Sequence, residues 1–388
     1  MAPTYFDAQA GHLRSDVFSS PEIHKDEIAR LFRRAWLLVA PLSWVERPGD
    51  FVTTYLGDSP ALAWRGPGGA IEVFLNTCLA SNEPITSVER GRADVLTCPC
   101  HGWNYSPSAG PGVQRPDAVS QVEQFGGFIF ASRDDQAPPL REWMNDFAWC
   151  WELMAKQFPG GIEVYGSGAL RTDMACNWKL AAEAYAGDVY SDLTLTKATR
   201  ELLSLGEPLC DREGFQITAG PGAMVVLTEP MDERDGEFGT SMTPVLATLF
   251  PNLSYDGRAG ALHVWHPLGA TKTAAQSYCL VGRDEAGEVK DARRKRFQRL
   301  FGPTGMLSRD YDNAWSEVTR ATSQARSHTL NLEMALGGDR ASNLPGRVSD
   351  IASEMNQRSF YGWWQSQLDA PPLPIKPGVI KMRARRGT

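Results

Sequence analysis

The chain has 388 residues, 42% of them hydrophobic and 22% charged, with a formal net charge of −7. That is enough chain for two ordinary domains with self-sufficient cores, and the acidic balance weighs against nucleic acid or an anionic membrane as partner. The longest apolar run, 35–41, is far too short to span a bilayer, and no basic-then-apolar export signal opens the sequence, so a cytoplasmic protein is expected.

In chain order, Ser20-Pro21-Glu22 has the form of a helix start, and Ile28, Leu31, Phe32 and Trp36 follow at helical spacing. From Gly49 the texture becomes short β-branched and aromatic runs broken by Gly, Pro and Asp. Residues 51–56, 61–65, 72–76, 95–97 and 127–131 read as antiparallel strands of one small β-rich domain. A Trp-rich stretch, 140–157, is expected to be helical. Beyond it the spacing predicts a helix over 178–192, strands in 215–228 and 243–255, and a strand pair at 261–266 and 274–282. Further helices are expected over 291–301 and 312–332, which makes the second region an antiparallel sheet with helices packed on it. The basic tail, 381–386, reads as a solvated or partner-contacting end.

Seven cysteines are an odd number for a chain without an export signal, so buried thiols or metal ligands are expected over disulfides. Cys150, Cys176, Cys210 and Cys279 stand singly and read as small core hydrophobes. Cys78, Cys98 and Cys100 cluster, within Asn76-Thr77-Cys78 and Cys98-Pro99-Cys100-His101-Gly102-Trp103. A lone Cys-x-x-His also suits a structural turn or a zinc half-site.

These two runs, with the strand texture around them, resemble the Rieske domain of the naphthalene and biphenyl dioxygenase family. A Rieske cluster takes two thiolates on one iron and two imidazoles on the other, supplied by C-x-H and C-x-x-H loops. The resemblance assigns Cys78, Cys98 and His101 as residual ligands, while the position of the first histidine is Ala80. With one imidazole missing, the leading expectation is no stable [2Fe–2S] cluster, and a partial or rebuilt one is the alternative.

The resemblance continues through Asn177-Trp178-Lys179-Leu180, Glu183, Gly187-Asp188 and Tyr190. In that family a D-x-Y-H-x4-H helix and a later aspartate form the two-histidine, one-carboxylate triad that leaves open positions on iron. Here the histidine positions are Ser191 and Thr196. After Phe301-Gly302-Pro303-Thr304-Gly305 the aspartate position is Tyr311, with Asp310 as the alternative register. No catalytic residue and no mononuclear Fe(II) are therefore expected. A hard-cation site of Asp188, Asp192 and Asp310 is a weaker possibility than surface acids, and His263 and His266 read as core or interface histidines. The resemblance puts Asp188 at a subunit boundary, as an electron bridge or an interface carboxylate.

The fold implied is α+β: an all-β Rieske-like domain plus a catalytic-type domain whose antiparallel sheet is covered by helices, helix-grip-like. The expected division is an N-terminal helical segment at 1–39 packing on the second domain, a Rieske-type domain at 40–155 and the catalytic-type domain at 156–388. The function expected is a non-catalytic structural or regulatory large subunit, with an active Rieske oxygenase alpha subunit and/or a small beta subunit in a trimeric or hexameric assembly. The alternatives are an active oxygenase of aromatic or polycyclic substrates with non-standard ligands, and a non-redox small-molecule binder.

Overall fold

A computed structural model describes residues 3–166, 168–220, 222–228, 243–324, 328–341 and 344–373. The basic tail lies outside the described residues. The chain forms two compact units, one of Met1–Phe32 with Pro138–Pro371 and one containing Arg33–Ala137.

The Arg33–Ala137 unit is mainly β, with one short 3-10 turn at Leu42–Trp44. Strands Asp50–Leu56, Ser59–Arg65 and Ile71–Leu75 form a meander whose first member also pairs with Arg90–Arg92. Leu37–Pro41 pairs with Phe128–Ser132, which pairs with Gln121–Phe125. Alternation drives Phe51, Leu62, Trp64 and Phe74 into one core cluster. The short strands Leu96–Thr97 and Asn104–Tyr105 form a hairpin whose loop carries Cys98–Gly102.

In the other unit, α1 (Pro21–Glu27) starts as its sequence predicts: the Ser20 hydroxyl accepts from the Ile23 N–H at 3.3 Å, and Pro21 occupies the first turn. A π turn, Ile28–Phe32, follows where one continuous helix was expected. The segment before α1 carries a hairpin of Phe6–Asp7 and His12–Arg14, which the helical spacing does not reveal. The Trp-rich stretch is two helices, α2 (Leu140–Met144) and α3 (Phe147–Ala155). Helix α4 (Trp178–Gly187) is capped by the Asn177 side chain, and α5 (Lys197–Leu203) follows. Then come α6 (Gly287–Phe301), α7 (Met306–Gln324) and α8 (Met355–Asp369). Among the described residues no helix is long and apolar enough to cross a membrane.

These helices accompany a long antiparallel sheet. Its order runs Ile162–Val164, Lys272–Gly282, Ala261–Gly269, Leu253–Asp256, Thr243–Leu249, Ala223–Thr228, Gly214–Thr218, Arg347–Asp350 and Arg340–Ala341, with Leu170–Met174 also on Lys272–Gly282. The expected strand regions 215–228 and 243–255 each hold two antiparallel strands. The α+β class, with a β Rieske-type unit and a sheet-and-helix unit, holds.

Two helix ends differ from the periodicity. The helix expected over 178–192 stops at Gly187 because distant side chains take its last carbonyls. Asn356 Nδ2 donates to Ala186 O at 2.7 Å and Gln216 Nε2 to Gly187 O at 3.1 Å. A Cβ at 187 would lie 2.9 Å from Gln216 Oε1, so any larger residue there would have to displace that side chain. The helix expected over 312–332 ends at Gln324, and Thr329–Asn331 instead pairs with His12–Arg14.

Candidate metal centres and cavity

Cys78 follows the strand Ile71–Leu75, in a loop closed by Cys78 N–H to Glu83 O at 2.7 Å and Asn82 N–H to Cys78 O at 2.8 Å. Cys98 and His101 sit in the facing hairpin loop, closed by Gly102 N–H to Cys98 O at 2.9 Å. Gly102 has φ +64°, which suits a residue without a Cβ. Cys78 and Cys98 are buried with Ile85 and Tyr105, while His101 is exposed.

One ligand atom from each of Cys78, Cys98 and His101 lies within 4.8 Å of the others, the only such trio of metal-binding side chains among the described residues. Cys78 Sγ is 4.0 Å from His101 Nδ1. Burial opposes the Cys78 thiolate, but hydrogen bonds from the Tyr105 hydroxyl (3.3 Å), the Ala80 backbone, Cys98 and Ser81 outweigh it and lower the thiol's pKa. Cys100 does not join the trio. It is exposed and bonded to the Glu83 carboxylate, which pushes its thiol up to about 11. Ala80 is exposed and offers a methyl group. The donors present thus fit three of a Rieske cluster's four ligands.

The second set of positions is not assembled for metal. Ser191 and Tyr311 meet, with their hydroxyl oxygens 3.3 Å apart. Thr196 is exposed, and its oxygen is the N-cap of α5, accepting from Thr199 N–H at 3.1 Å. Tyr311 is buried on α7, whereas the neighbouring Asp310 is exposed. Asp188 is half-buried beyond the end of α4, and its Oδ1 accepts from Tyr190 N–H at 3.1 Å. Asp188 and Asp192 therefore do not share a helix face; the Asp192 side chain lies outside the described atoms.

Sequence reasoning missed the group beside Tyr311. Arg258 Nη2 donates to Tyr311 Oη at 3.3 Å and to Asp256 Oδ2 at 2.7 Å, and both charged side chains are buried. Hydroxyls held this way, with no imidazole or carboxylate from the three positions, do not fit a mononuclear iron. In sequence, Asp256-Gly257-Arg258 looks only like a turn.

Tyr311 also lines a cavity of about 260 Å³ whose walls include Tyr185, His263, Trp265, Phe301 and Trp315. His263 and Trp265 lie two apart on Ala261–Gly269, so both face the cavity, stacked at 5.4 Å. Burial pushes His263 down to about 4, leaving it neutral. Its Nδ1 is 2.7 Å from Ser277 Oγ, and its buried Nε2 has no partner. His266 is a buried core histidine, pushed down to about 3 by burial.

Glu183, on α4, carries a testable proton. Burial pushes its carboxyl up to about 8; the Tyr361 hydroxyl, which donates to it, opposes the rise, and Asp188 and Glu354 add to it. An unfolded glutamate titrates near 4.3, so the native state holds an extra proton between those values. Its stabilisation is complete below about pH 4.3 and is lost as pH rises through about 8. The thermal midpoint of Glu183→Gln should vary less between about pH 5 and pH 8 than that of the natural chain. An unchanged pH slope would remove this assignment.

Residues 35–126 match the Rieske [2Fe-2S] domain family, a span that contains all three donors. That match supports a [2Fe–2S] cluster in this unit, the alternative and not the leading expectation. Along nearly the whole chain there are curated relatives. The chlorobenzene dioxygenase subunit alpha of Cupriavidus sp. (strain PS12) is 29% identical, with 92% of this chain and 91% of the relative covered. The biphenyl 2,3-dioxygenase subunit alpha of Rhodococcus jostii (strain RHA1) is 27% identical, with 94% and 90% covered. Among solved structures, naphthalene 1,2-dioxygenase with indole bound in its active site superposes with a TM-score of 0.83, at 25% identity and 94% coverage of each chain.

Proposed function

This chain is a Rieske ring-hydroxylating oxygenase large-subunit homologue, and from that premise we propose that it is a non-catalytic large subunit of a cytoplasmic hetero-oligomer. Its partners on this reading are an active oxygenase alpha subunit and/or a small beta subunit, in a trimeric or hexameric arrangement. The observation that carries it is the pairing of Tyr311 with both Ser191 and Arg258 where the family would hold iron. A protein side chain already uses each hydroxyl there, so oxygen activation has no centre to occur on.

When bound, a [2Fe–2S] cluster supplies one-electron transfer. Cys78, Cys98 and His101 would hold it, with solvent or a partner's donor at the fourth position. Asp188, whose relatives' counterpart the resemblance puts at a subunit boundary, is proposed as an interface carboxylate. Its use of one oxygen on Tyr190 N–H supports a structural role.

The test is co-expression of the tagged chain with an active alpha subunit and a beta subunit, followed by one-step purification and metal analysis. Expected is a defined stoichiometric complex in which this chain adds no mononuclear iron. The chain alone should give no oxygenated product with reductase, NADH and oxygen. Stoichiometric mononuclear iron and turnover by the chain alone would overturn the proposal.

A second reading, a non-redox binder of small aromatic compounds, is favoured by the aromatic cavity and the unpartnered His263 Nε2. An occupant with one hydroxyl or N–H, indole among them, would satisfy that nitrogen. Calorimetry with indole and naphthalene tests it, and an absence of saturable binding removes it.

A further inference from the structure

We propose that Arg258 is a built-in replacement for the mononuclear metal, a protein cation that holds the Ser191–Tyr311 end of the site together and excludes a metal ion from it. The inference rests on the reading that the chain carries no mononuclear iron and goes further, to what took the ion's place.

The geometry is that of a clamped cation. Asp256 ends the strand Leu253–Asp256, and Arg258 lies two residues on, in the turn to Ala261–Gly269. Arg258 Nε lies 3.1 and 3.2 Å from the two Asp256 carboxylate oxygens and Nη2 lies 2.7 Å from one, a two-pronged ion pair. The Arg258 N–H adds a bond to Asp256 Oδ1 at 2.9 Å, and Arg296 on α6 donates to the Arg258 carbonyl. The side chains are 1% and 0% exposed.

Counting hydrogens shows what the clamp organises. Nη2 has two: one goes to Asp256, the other to Tyr311 Oη. The Ser191 hydroxyl donates to Asp188 O at 3.1 Å and lies 3.3 Å from Tyr311 Oη, a bond in which either oxygen can be the donor. A continuous run of hydrogen bonds therefore links the guanidinium, Tyr311, Ser191 and the backbone just past α4. A metal ion orders surrounding ligands radially; here one cation orders the same elements through a chain of hydrogen bonds.

A buried ion pair is not by itself a source of stability over apolar packing, which leaves positional order as its use. Arg258 Nη1 has no hydrogen-bond partner. A divalent ion brought to Ser191 and Tyr311 would meet that guanidinium at one hydrogen bond's distance, with the Asp256 carboxylate already committed.

The test supplies ligands only at positions the fold brings together. Ser191→His with Tyr311→Asp is compared with the same pair plus Arg258→Met, which also frees Asp256 as a third donor. Both are folded, reconstituted anaerobically with Fe(II), desalted and analysed for iron per chain. Removing the guanidinium should tighten binding on the order of 10- to 100-fold, the size of effect that groups beside a metal exert. Equal iron uptake by the two, or none by either, overturns the proposal.

Arg258→Ala in the natural chain provides a second readout that does not depend on the folding of the triple variant. Its thermal midpoint should fall and recover with millimolar methylguanidinium, and not with methylammonium. No fall, or no selective recovery, also overturns the proposal. The natural chain's own iron content and turnover, which test the non-catalytic reading, are measured separately, so either idea can fail alone.

Discussion

Replacing Glu27 with alanine should destabilise the chain by roughly 3–5 kcal/mol, the range for removing one partner of a buried ion pair. For a unit of this size that corresponds to a fall of about 10 °C in thermal midpoint. Glu27 is the last residue of α1, and its side chain is fully buried. One carboxylate oxygen accepts from Lys179 Nζ at 2.5 Å and from Trp364 Nε1 at 2.8 Å, and the other from Trp178 Nε1 at 2.9 Å. Three helices, α1, α4 and α8, thus converge on a single anion. Burial lowers the pKa of Lys179, and Glu27 opposes that by charge and hydrogen bond. Without the carboxylate an ammonium and two indole N–H groups are left buried without their acceptor. Denaturant titration of the single variant and of Glu27→Leu with Lys179→Met checks this. The double variant should recover much of the loss, because an apolar replacement of both charges removes the orphaned cation. A loss below about 1 kcal/mol for Glu27→Ala would show the cluster to be incidental.

Ala80→His should convert a three-donor site into a complete Rieske set. The position is exposed, in the loop closed on Cys78, so an imidazole has room. The variant should hold two irons and two labile sulfides per chain more persistently in air than the natural protein. Its reduction potential should rise by on the order of 100 mV or more, since clusters with two imidazoles lie hundreds of millivolts above all-thiolate ones. Metal analysis, EPR and a spectroelectrochemical titration read this out together. Unchanged iron content and potential would mean that position 80 does not face the cluster. Substituting Cys98 with serine should abolish the visible spectrum in either background.

What was legible in the sequence was what short-range chemistry dictates. Ser20-Pro21 announces α1 because a cap and a proline act within one turn. The strand alternation of Phe51 to Trp64 and the Cys-x-x-His loop are likewise local. The end of α4 was not legible, because the side chains that take its carbonyls come from Gln216 and Asn356, far along the chain. The strand Thr329–Asn331 exists by pairing with His12–Arg14, again a distant partner. At the site, Ser191 and Tyr311 stood out as substitutions in a recognisable pattern. Arg258 did not, because nothing in Asp256-Gly257-Arg258 distinguishes a buried clamp from a solvated turn until α7 is brought beside it.

The carboxylate of Glu27 also has a bearing on the order of events at the ribosome. Its bond to Trp364 joins residues 337 positions apart, and at ordinary elongation rates roughly 20–70 s separate the emergence of the two. Throughout that interval the first helix lacks one of its three anchors. Arg33–Ala137, by contrast, is continuous in sequence and lies wholly within that gap, so its strands can pair while α1 still waits for α8. The nascent chain is thus expected to mature from the middle outward, with its opening segment among the last to lock.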